Sequence, residues 1–449
     1  MSDLLDATGS VTIAQGATVQ VIAAPGAYKT GTTFQIISAA GGVSGTFGSF
    51  SLNTAAVMGQ LVYGADFVDL VLSQADIDLA PFTHTPNEVA TAAAVKAGGP
   101  TSTIFGDFLA LQPDTAFITG ALDQLSGEVH PSLQTAELED TQVVRQSVLD
   151  HLRQSTTGDA SGLLTPSAAQ SRMIVDGLSM WTHVFAETGS VDSDGNAAEI
   201  RQNQSGILAG IDAALDRNLT LGIGGGYTHS HLNQRSSSSR GGDDYVILSA
   251  GWSDGPLAVR AGGSYAWGTR DTVRHVSFPS FAETLTSKED EHASQVFGEA
   301  GYAGKLSELA FEPFVGITWT DASTAAFSET GGSAALSGRG GDSSLAYSSL
   351  GLRLATDAFG GESFAITPRA SVAWQHAFGN LRPQQVVSFE DTQKSFLVLG
   401  TAIDADMANV DVGLNAKIGD NANLAIGYEG LLSSRVRLNT LHAGLSWSF

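Results

Sequence analysis

The chain has 449 residues, a formal net charge of −24 and no cysteine. The acidic balance argues against a nucleic-acid partner, because phosphate binding requires basic patches. The lack of cysteine excludes disulfide frameworks, thiolate zinc sites and cysteine nucleophiles, and it suits a chain that crosses an oxidising compartment unfolded. The sequence contains no run of about 18 apolar residues that would predict a transmembrane helix. The opening MSDLLDATGS lacks the basic and the apolar region of a signal peptide.

Residues 1–78 form the first predicted region. Short β-rich runs at Val19–Ile22, Phe34–Ile37 and Phe67–Leu72 are separated by glycine and asparagine at short intervals. This pattern favours stacked short strands, as in the end of a β-solenoid or in a small β-sandwich.

Residues 79–179 form the second predicted region, a linker followed by a helical segment. Leu79–Pro100 is weakly patterned and is predicted to be a linker. Ala121–Gln154 is predicted to be helical, because apolar residues recur three and four apart. Pro131 is expected to divide this stretch into two helices and to occupy the first turn of the second.

Residues 180–449 form the third predicted region, in which apolar and polar residues alternate. Most of its strand candidates have a length that suits a tilted membrane-crossing strand of about 10 residues or slightly more. The candidates are Met180–Gly189, Asn203–Leu215, Leu219–Leu232, Asp243–Ser253, Leu257–Asp271, His292–Gly304, Glu308–Asp321, Ser344–Asp357, Glu362–Ala377, Met407–Ile418, Asn423–Leu431 and Leu438–Phe449.

The connections between these strands alternate in length. Short turns are predicted near Asp216, Asp254, Lys305, Phe359 and Asp420, and most of the intervening connections are long and polar, including Asn233–Gly242 and Thr272–Glu291. The charged stretch KEDEH, Lys288–His292, is predicted to be a solvated part of one such loop. Segregated loop lengths indicate an outer-membrane barrel, whereas the alternative, a soluble β-sandwich with one wet face, gives no reason for them.

The two faces of the predicted strands differ in chemistry. One parity is apolar and carries aromatic residues near the strand ends, as expected for the lipid face with its interfacial girdles; these aromatics are Trp181, Tyr227, Trp252, Trp267, Trp319, Trp374 and Trp447. The other parity is small or charged and predicts a polar lumen with cross-strand ion pairs. Its charged members are Arg260, Glu299, Glu312, Arg353, Arg369, Asp411, Lys417 and Glu429.

Three stretches together resemble an autotransporter, a type V secretion protein of Gram-negative bacteria. PGAYKTGTTFQIISAAGGVSGTFGSFS resembles the end of a β-helical passenger, often called the autochaperone region. ALDQLSGEVHPSLQTAELEDTQVVRQSVLDHLR resembles the helical segment before the translocator. MWTHVFAETG to LHAGLSWSF resembles the twelve-stranded autotransporter barrel with its terminal aromatic residue.

The resemblance implies a mainly β fold whose 12-stranded antiparallel barrel follows a helical segment and a short β-solenoid-like region. It implies a monomeric, non-enzymatic translocator in the outer membrane that exports its own N-terminal passenger to the cell surface. The implied partners are outer-membrane lipid, the barrel assembly machinery and periplasmic chaperones. Leu441, Leu445, Trp447 and Phe449 would form the assembly signal, although they could also simply fill the lipid face.

The resemblance also implies that a helix remains inside the barrel. Ala136–Gln154 is the candidate plug, because its mixed charges could meet the Arg and Glu residues of the lumen. Alternatively, that helix lies on the periplasmic side and a stretch near Ser167–Leu178 fills the pore. Both possibilities remain open at the level of sequence.

The sequence predicts no catalytic, cofactor or metal site. GIGGGY, Gly222–Tyr227, lies within a strand and indicates thin packing or clearance for a plug rather than a phosphate loop. His229 and His231 share a face but lack an evident third ligand. A signal peptide and a long passenger are missing from this sequence, so it could be the end of a secreted protease or esterase, or the end of an adhesin. A porin-like barrel is a further alternative, but the helical segment and the N-terminal β region argue against it.

Overall fold

The structure of the chain is a computed structural model. It describes residues 3–23, 31–53, 57–74, 79–99, 102–109, 115–155, 178–279, 281–356, 359–361, 363–419 and 421–448. Short strands come first in the chain, then helices, and then a large antiparallel sheet that closes on itself.

The N-terminal strands form two stacked coils. The strands are β1 (Leu5–Ala7), β2 (Val11–Thr12), β3 (Thr18–Val21), β4 (Thr33–Ala39), β5 (Val43–Ser44), β6 (Ser49–Leu52), β7 (Val57–Tyr63) and β8 (Phe67–Gln74). β1 pairs with β4, β2 with β5 and β3 with β6, and all three pairs are parallel. Three parallel ladders between successive coils are the geometry of a β-solenoid, and the antiparallel hairpin of β7 and β8 ends it beside β4.

Four α-helices follow the solenoid. They are α1 (Pro86–Gly98), α2 (Thr103–Leu109), α3 (Thr115–Leu125) and α4 (Val129–Ser155), and a 3₁₀ turn at Ala80–Phe82 precedes them. Gly127, with a φ of 70°, turns the chain between α3 and α4. None of the described helices has both the length and the apolar character that a membrane span requires.

The prediction that Leu79–Pro100 is a linker is wrong. Thr85 and Glu88 form a reciprocal capping box, and Pro86 occupies the first helical turn of α1. The weak pattern of this stretch has a physical reason, because its buried positions are mostly alanine and small polar residues that pack closely against the strand near Leu399.

The remaining strands belong to the large sheet and its connections. They are β9 (Leu178–Val191), β10 (Ile200–Ala214), β11 (Leu219–Gln234), β12 (Ser237–Asp254), β13 (Leu257–Phe278), β14 (Phe281–Tyr302), β15 (Gly304–Leu306), β16 (Leu309–Thr324), β17 (Phe327–Ser328), β18 (Leu336–Gly338), β19 (Gly341–Thr356), β20 (Phe359–Gly360), β21 (Phe364–Gly379), β22 (Gln384–Phe389), β23 (Ser395–Leu399), β24 (Asp406–Ile418), β25 (Ala422–Leu432) and β26 (Val436–Ser448).

Twelve long strands close into an antiparallel barrel, as predicted. They follow one another in chain order, β14 pairs with β16, and β26 returns to pair with β9. Closure leaves no unpaired edge, which lipid would not tolerate. We call the end with the long connections the loop end; it includes residues 192–199, 325–340 and 380–405. The opposite end, which includes residues 215–218 and 255–256, is the turn end.

The strands continue further at the loop end than the sequence predicted. Asn233–Gly242 and Thr272–Glu291, which were expected to be loops, are the ends of β11 and β12 and of β13 and β14. KEDEH is therefore a strand and not a solvated loop. Glu289 and Glu291 point inward and are buried, whereas Lys288, Asp290 and His292 are exposed. Charged residues on both parities hid this alternation.

The outer face of the barrel is apolar and the inner face is polar. Large exposed apolar residues occupy alternate positions on neighbouring strands, among them Ile223, Leu248, Val259, Ile317 and Leu350. Such a band, with a polar interior, is the surface of a barrel that crosses a membrane. The rest of the predicted aromatic set lies on this face, but the placement of Trp181 there is wrong, because its indole is only 5% exposed and points inward.

Candidate functional site in the barrel lumen

The lumen is filled by α4. This helix of 27 residues spans roughly 40 Å at about 1.5 Å per residue, which is longer than a hydrocarbon layer is thick. Nearly all of its side chains from Val129 to Arg153 are buried. Val129 packs near Val191 and Val436 at the loop end, whereas Leu152 belongs to the apolar cluster of Trp181. The helix therefore enters at the loop end and runs toward the turn end.

At the loop end, His130 bridges two strand-side carboxylates. Its Nδ1 lies 2.8 Å from Glu289 Oε1 and its Nε2 lies 2.9 Å from Glu329 Oε1. Arg274 donates to both oxygens of Glu329, at 2.9 and 2.6 Å. Burial alone would lower the pKa of His130, but the two carboxylates outweigh it and raise the pKa to about 9. Burial likewise opposes ionisation of Glu329, yet Arg274 and His130 lower its pKa to about 2.

One turn further along α4, hydroxyl groups bind the long connection between β21 and β24. Thr135 donates to the carbonyl oxygen of Thr401 at 2.6 Å, and Ser132 accepts from the Thr401 amide at 3.1 Å. Gln234 donates to both the Ser132 and the Thr401 hydroxyl, at 3.1 and 2.9 Å. At Gly400 an added Cβ would lie 2.7 Å from the carbonyl carbon of Pro131, so only glycine permits this approach.

Midway along the helix, Arg270 is surrounded by carboxylates. Its Nη2 donates to Glu137 of α4 at 2.9 Å and lies 3.7 Å from both Asp140 of α4 and Asp243 of β12. Its Nε donates to Glu291 of β14. All five side chains are at most 3% exposed, so this guanidinium compensates negative charge from the helix and from two strands at once.

Near the turn end, four of the predicted lumen residues form one network. Arg260 donates to Glu299 at 3.0 Å and to Glu312 at 2.9 and 3.2 Å. Arg353 donates to Glu312 at 2.7 Å and also to Glu299. Arg153 of α4 joins this network, with its Nη1 3.6 Å from Glu299 Oε2. The helix thus meets opposite charge on the barrel wall at the loop end, midway and near the turn end.

The structure does not bring the other four predicted lumen residues into that network. Arg369 donates to Asp411 instead, and Glu429 accepts from Asn409. Lys417 is half-buried near the turn end of β24. Asp411 also lies 3.0 Å from Nε2 of His442, a residue that the sequence did not single out.

The closely spaced glycines of β11 provide clearance. Trp181 stacks on His151 of α4, with ring centroids 4.6 Å apart. A Cβ at Gly224 would lie 3.1 Å from the Trp181 ring, and one at Gly210 would lie 2.6 Å from it. The thin strands therefore leave room for an indole between the barrel wall and the helix.

The residues predicted as the assembly signal lie on the lipid-facing side of β26 as far as they are described. Leu441, Leu445 and Trp447 are exposed, and Phe449 lies outside the described residues. Of the two candidate plugs, Ala136–Gln154 lies within α4, whereas residues 167–177 of the other lie outside the described residues.

The sequence missed several of the residues that hold the helix: Glu128, His130, Arg235, Arg270, Arg274, Glu289, Glu291 and Glu329. All lie near or beyond the loop-end limit of the predicted strands. For Arg270, which lies within a predicted strand, inward parity was already a signal. For Arg274, Glu289 and Glu291 the same signal required the strands to be extended past Asp271. Together these groups form a binding surface that matches one charged helix, and His229 and His231 lie apart from it toward the outside.

Comparison with known proteins agrees with this architecture. A family model of the autotransporter beta-domain matches residues 180–429, which is more than half of the chain. The translocator domain of the autotransporter NalP from Neisseria meningitidis has a similar fold, with a TM-score of 0.56 and 14% identity, over 72% of this chain and 100% of that domain.

Two extracellular serine proteases of Serratia marcescens are relatives in sequence. One is 27% identical over 460 residues, covering 93% of this chain and 43% of the relative. The other is 30% identical over 330 residues, covering 73% of this chain and 31% of the relative. The chain thus spans less than half the length of the curated relatives that it matches. The matched domain itself is a non-enzymatic barrel. The predicted resemblance is confirmed: the chain belongs to the autotransporter family, and its C-terminal barrel is the outer-membrane translocator of an N-terminal passenger.

Proposed function

We propose that this barrel exports the N-terminal part of its own chain to the cell surface and retains α4 as a plug. The observation that carries the proposal is the direction of α4. The helix leads from the loop end, where α1–α3 and the solenoid pack, to the turn end, where β9 begins. In outer-membrane barrels the long loops face outward and the short turns face the periplasm.

The contacts of α4 support retention rather than free passage. His130, Glu137 and Arg153 each pair with a charge on the barrel wall, at three different depths. A charged helix removed from these partners would leave buried charges uncompensated on the wall. The seated helix is therefore the favoured end state once the preceding residues have passed.

The helices before α4 support a surface position for the solenoid. Asn87 of α1 exchanges two 2.9 Å hydrogen bonds with the main chain of Leu399. Arg235, at the tip of the β11–β12 hairpin, binds Asp123 and Glu128 at 3.0 Å each. These contacts fasten the corner between α3 and α4 to the loop end, so the solenoid would project away from the membrane.

The apolar outer band and the last strand of the barrel suit insertion into the outer membrane. The apolar outer band fits outer-membrane lipid and a monomeric barrel. The C-terminal residues Leu441, Leu445, Trp447 and Phe449 would be recognised by the barrel assembly machinery after delivery by periplasmic chaperones. A strand that must close against β9 is a reasonable element for such recognition, because the barrel is incomplete without it.

A protease-accessibility experiment tests the proposal. The chain would be expressed behind a signal peptide with an epitope tag before Val11, and protease would be added to intact cells. We expect loss of the tag together with survival of a heat-modifiable fragment of about the size of residues 180–449. A tag that is cut only after the outer membrane has been permeabilised would contradict export and would favour a porin-like barrel.

A second candidate function concerns the whole protein. The two Serratia relatives are named extracellular serine proteases, and each is more than twice as long as the stretch that matches. We propose that this chain is the C-terminal part of a longer secreted serine protease. Hydrolysis of a general protein substrate by cells that express the complete gene, abolished by a serine-hydrolase inhibitor, is the expected result. Equal hydrolysis by cells that express only residues 1–449 would contradict it.

A further inference from the structure

The strongest unassigned cluster lies near the turn end of the lumen, where α4 meets the seam between the first and last barrel strands. Asp150 of α4, His183 of β9 and His442 of β26 each offer one ligand atom, and these atoms all lie within 4.8 Å of one another. All three residues are at most 7% exposed. The established role of the barrel as a translocator does not account for this cluster.

The hydrogen bonds around the cluster leave one ring nitrogen of each histidine available. His442 directs Nε2 to Asp411 at 3.0 Å, and its Nδ1 lies 4.0 Å from Asp150 Oδ2. Among the described residues, neither His442 Nδ1 nor His183 Nδ1 has a hydrogen-bond partner. Unpartnered nitrogen atoms are costly in a buried site unless something binds them.

Two arginines lie beside the cluster, and each is paired with a carboxylate. Arg153 pairs with Asp150 Oδ1, which leaves Oδ2 directed to the cluster, and Arg369 pairs with Asp411 Oδ1. A carboxylate that binds the outer nitrogen of a histidine, as Asp411 does, is the usual partner of a metal-bound imidazole, because it fixes the ring and its tautomer.

We propose that Asp150, His183 and His442 bind one Zn²⁺ ion. Two imidazoles and one carboxylate are a common donor set for zinc, with water in the fourth position. Tetrahedral zinc with bonds of about 2.0 Å places its ligand atoms roughly 3.3 Å apart, so the ligand atoms, now within 4.8 Å of one another, have to approach by at most about 1.5 Å. A second buried group of potential metal ligands consists of Glu137, Asp243 and Glu291. It is a poorer candidate, because these three carboxylates already surround the Arg270 guanidinium.

The site would exist only in the finished molecule. One ligand comes from the helix and the other two come from the strands that close the barrel, so a chain with an open seam or an unseated helix has no complete site. Zinc would therefore stabilise the closed and plugged state over all others, in proportion to its binding.

The test uses the full chain, folded in detergent and purified without a histidine tag. After removal of metal by a chelator, Zn²⁺ is titrated in and the bound metal is counted by elemental analysis. We expect one zinc per chain and a higher temperature for loss of the compact electrophoretic form when zinc is present. Binding should be at least tenfold weaker in His183→Asn and in Asp150→Asn, and unchanged in the His229→Ala, His231→Ala control.

Two results would overturn the proposal. One is the absence of stoichiometric zinc in the folded wild-type chain, and the other is equal affinity in wild type and both ligand variants. Should the variants fail to fold, Co²⁺ bound to the folded wild-type chain decides. Intense visible absorption from a tetrahedral ion supports the site, and the weak spectrum of hydrated Co²⁺ overturns it.

Discussion

His130 is the first charged contact between the plug and the wall, and it lies beyond the apolar band. Its two carboxylate partners, Glu289 and Glu329, belong to β14 and to the connection after β16. One imidazolium therefore joins three separate parts of the chain. Because its pKa lies near 9 when folded and near 6.5 when unfolded, its contribution to stability depends on pH.

We predict that His130→Gln loses a pH-dependent part of the free energy of unfolding. The raised pKa of His130 contributes stability that is fully present below about pH 6.5 and is lost as the pH rises through about 9. Urea unfolding of the detergent-solubilised barrel over a pH series measures the free energy of unfolding of wild type and variant. A difference between wild type and variant that is the same at pH 6 and at pH 10 would contradict the prediction.

Glu329 has the opposite dependence. Its pKa of about 2, below an ordinary 4.5, contributes stability that is present above about pH 4.5 and is lost as the pH falls toward 2. Glu329→Gln should therefore differ most from wild type above pH 4.5 in the same unfolding measurement. A constant difference across the acid range would show that its charge does not matter.

Arg270 lies in the lumen among four carboxylates, those of Glu137, Asp140, Asp243 and Glu291. We predict that Arg270→Met lowers the free energy of unfolding by ~3–5 kcal/mol, because it leaves buried carboxylates without their cation. Arg201→Met is the matched control: its side chain is 72% exposed and, within the described part of the chain, pairs with the nearby Glu199. Its loss should lower the free energy of unfolding much less, because exposed ion pairs contribute little. Equal effects of the two substitutions would show that the Arg270 cluster contributes no more than a surface pair.

Residue parity could be predicted from the sequence, but residue partners could not. Arg260, Glu299, Glu312 and Arg353 were assigned to one face because side chains alternate along a strand. Their contacts depend on register across β13, β14, β16 and β19, which the alternation of a single strand does not contain. His183 and His442 meet only because the barrel closes.

At the scale of elements, α4 is the feature that turns a pore into a closed channel. The chain contains no cysteine, so an introduced pair reports on its position without competing thiols. Ser132 Oγ and Thr401 Oγ1 are 3.4 Å apart. We predict that Ser132→Cys with Thr401→Cys forms a disulfide on oxidation in isolated outer membranes, detected as a change in electrophoretic mobility.

The control pair combines Ser132→Cys with Thr188→Cys, because Thr188 is exposed on the outer side of β9. This pair should stay reduced. A compact, heat-modifiable barrel in which the first pair also stays reduced would show that α4 does not occupy the lumen.

The strands could be predicted from the sequence where the two sides of the barrel wall face different surroundings. Within the membrane band, lipid on one side and helix on the other impose strict alternation, and all twelve strands were found there. Beyond the band, water replaces lipid, so Lys288 and Asp290 become as acceptable on the outside as an apolar residue. The alternation then loses its hydropathy signal, although the hydrogen-bonded ladder of β13 and β14 continues.

At the scale of the whole molecule, an apolar exterior and a charged interior reverse the usual arrangement of a soluble domain. The assembly signal proposed for the terminal strand can be tested at its last residue. We predict that Phe449→Ser lowers the amount of folded barrel in the outer membrane several-fold, as measured by heat-modifiable protein in membrane fractions. Loss of the terminal recognition element, rather than of apolar area, is the expected cause.

Phe364→Ser provides the comparison, because Phe364 has the same side chain and is 51% exposed on the apolar outer face. It removes the same aromatic side chain at a position away from the C-terminus and should reduce the amount of folded barrel much less. An equal reduction by both substitutions would show that Phe449 only fills the lipid face.

The pairing of β26 with β9 has a consequence for quality control of synthesis. The seam joins Ser179 to Ser448 and Val191 to Val436, so its two sides are made at the start and at the end of the barrel sequence. A fragment that stops even one strand early would place two rows of unpaired amide and carbonyl groups in hydrocarbon. A truncated product therefore lacks the pairing that makes the barrel stable in the membrane, and only a chain whose synthesis reaches β26 can become a permanent resident of the bilayer.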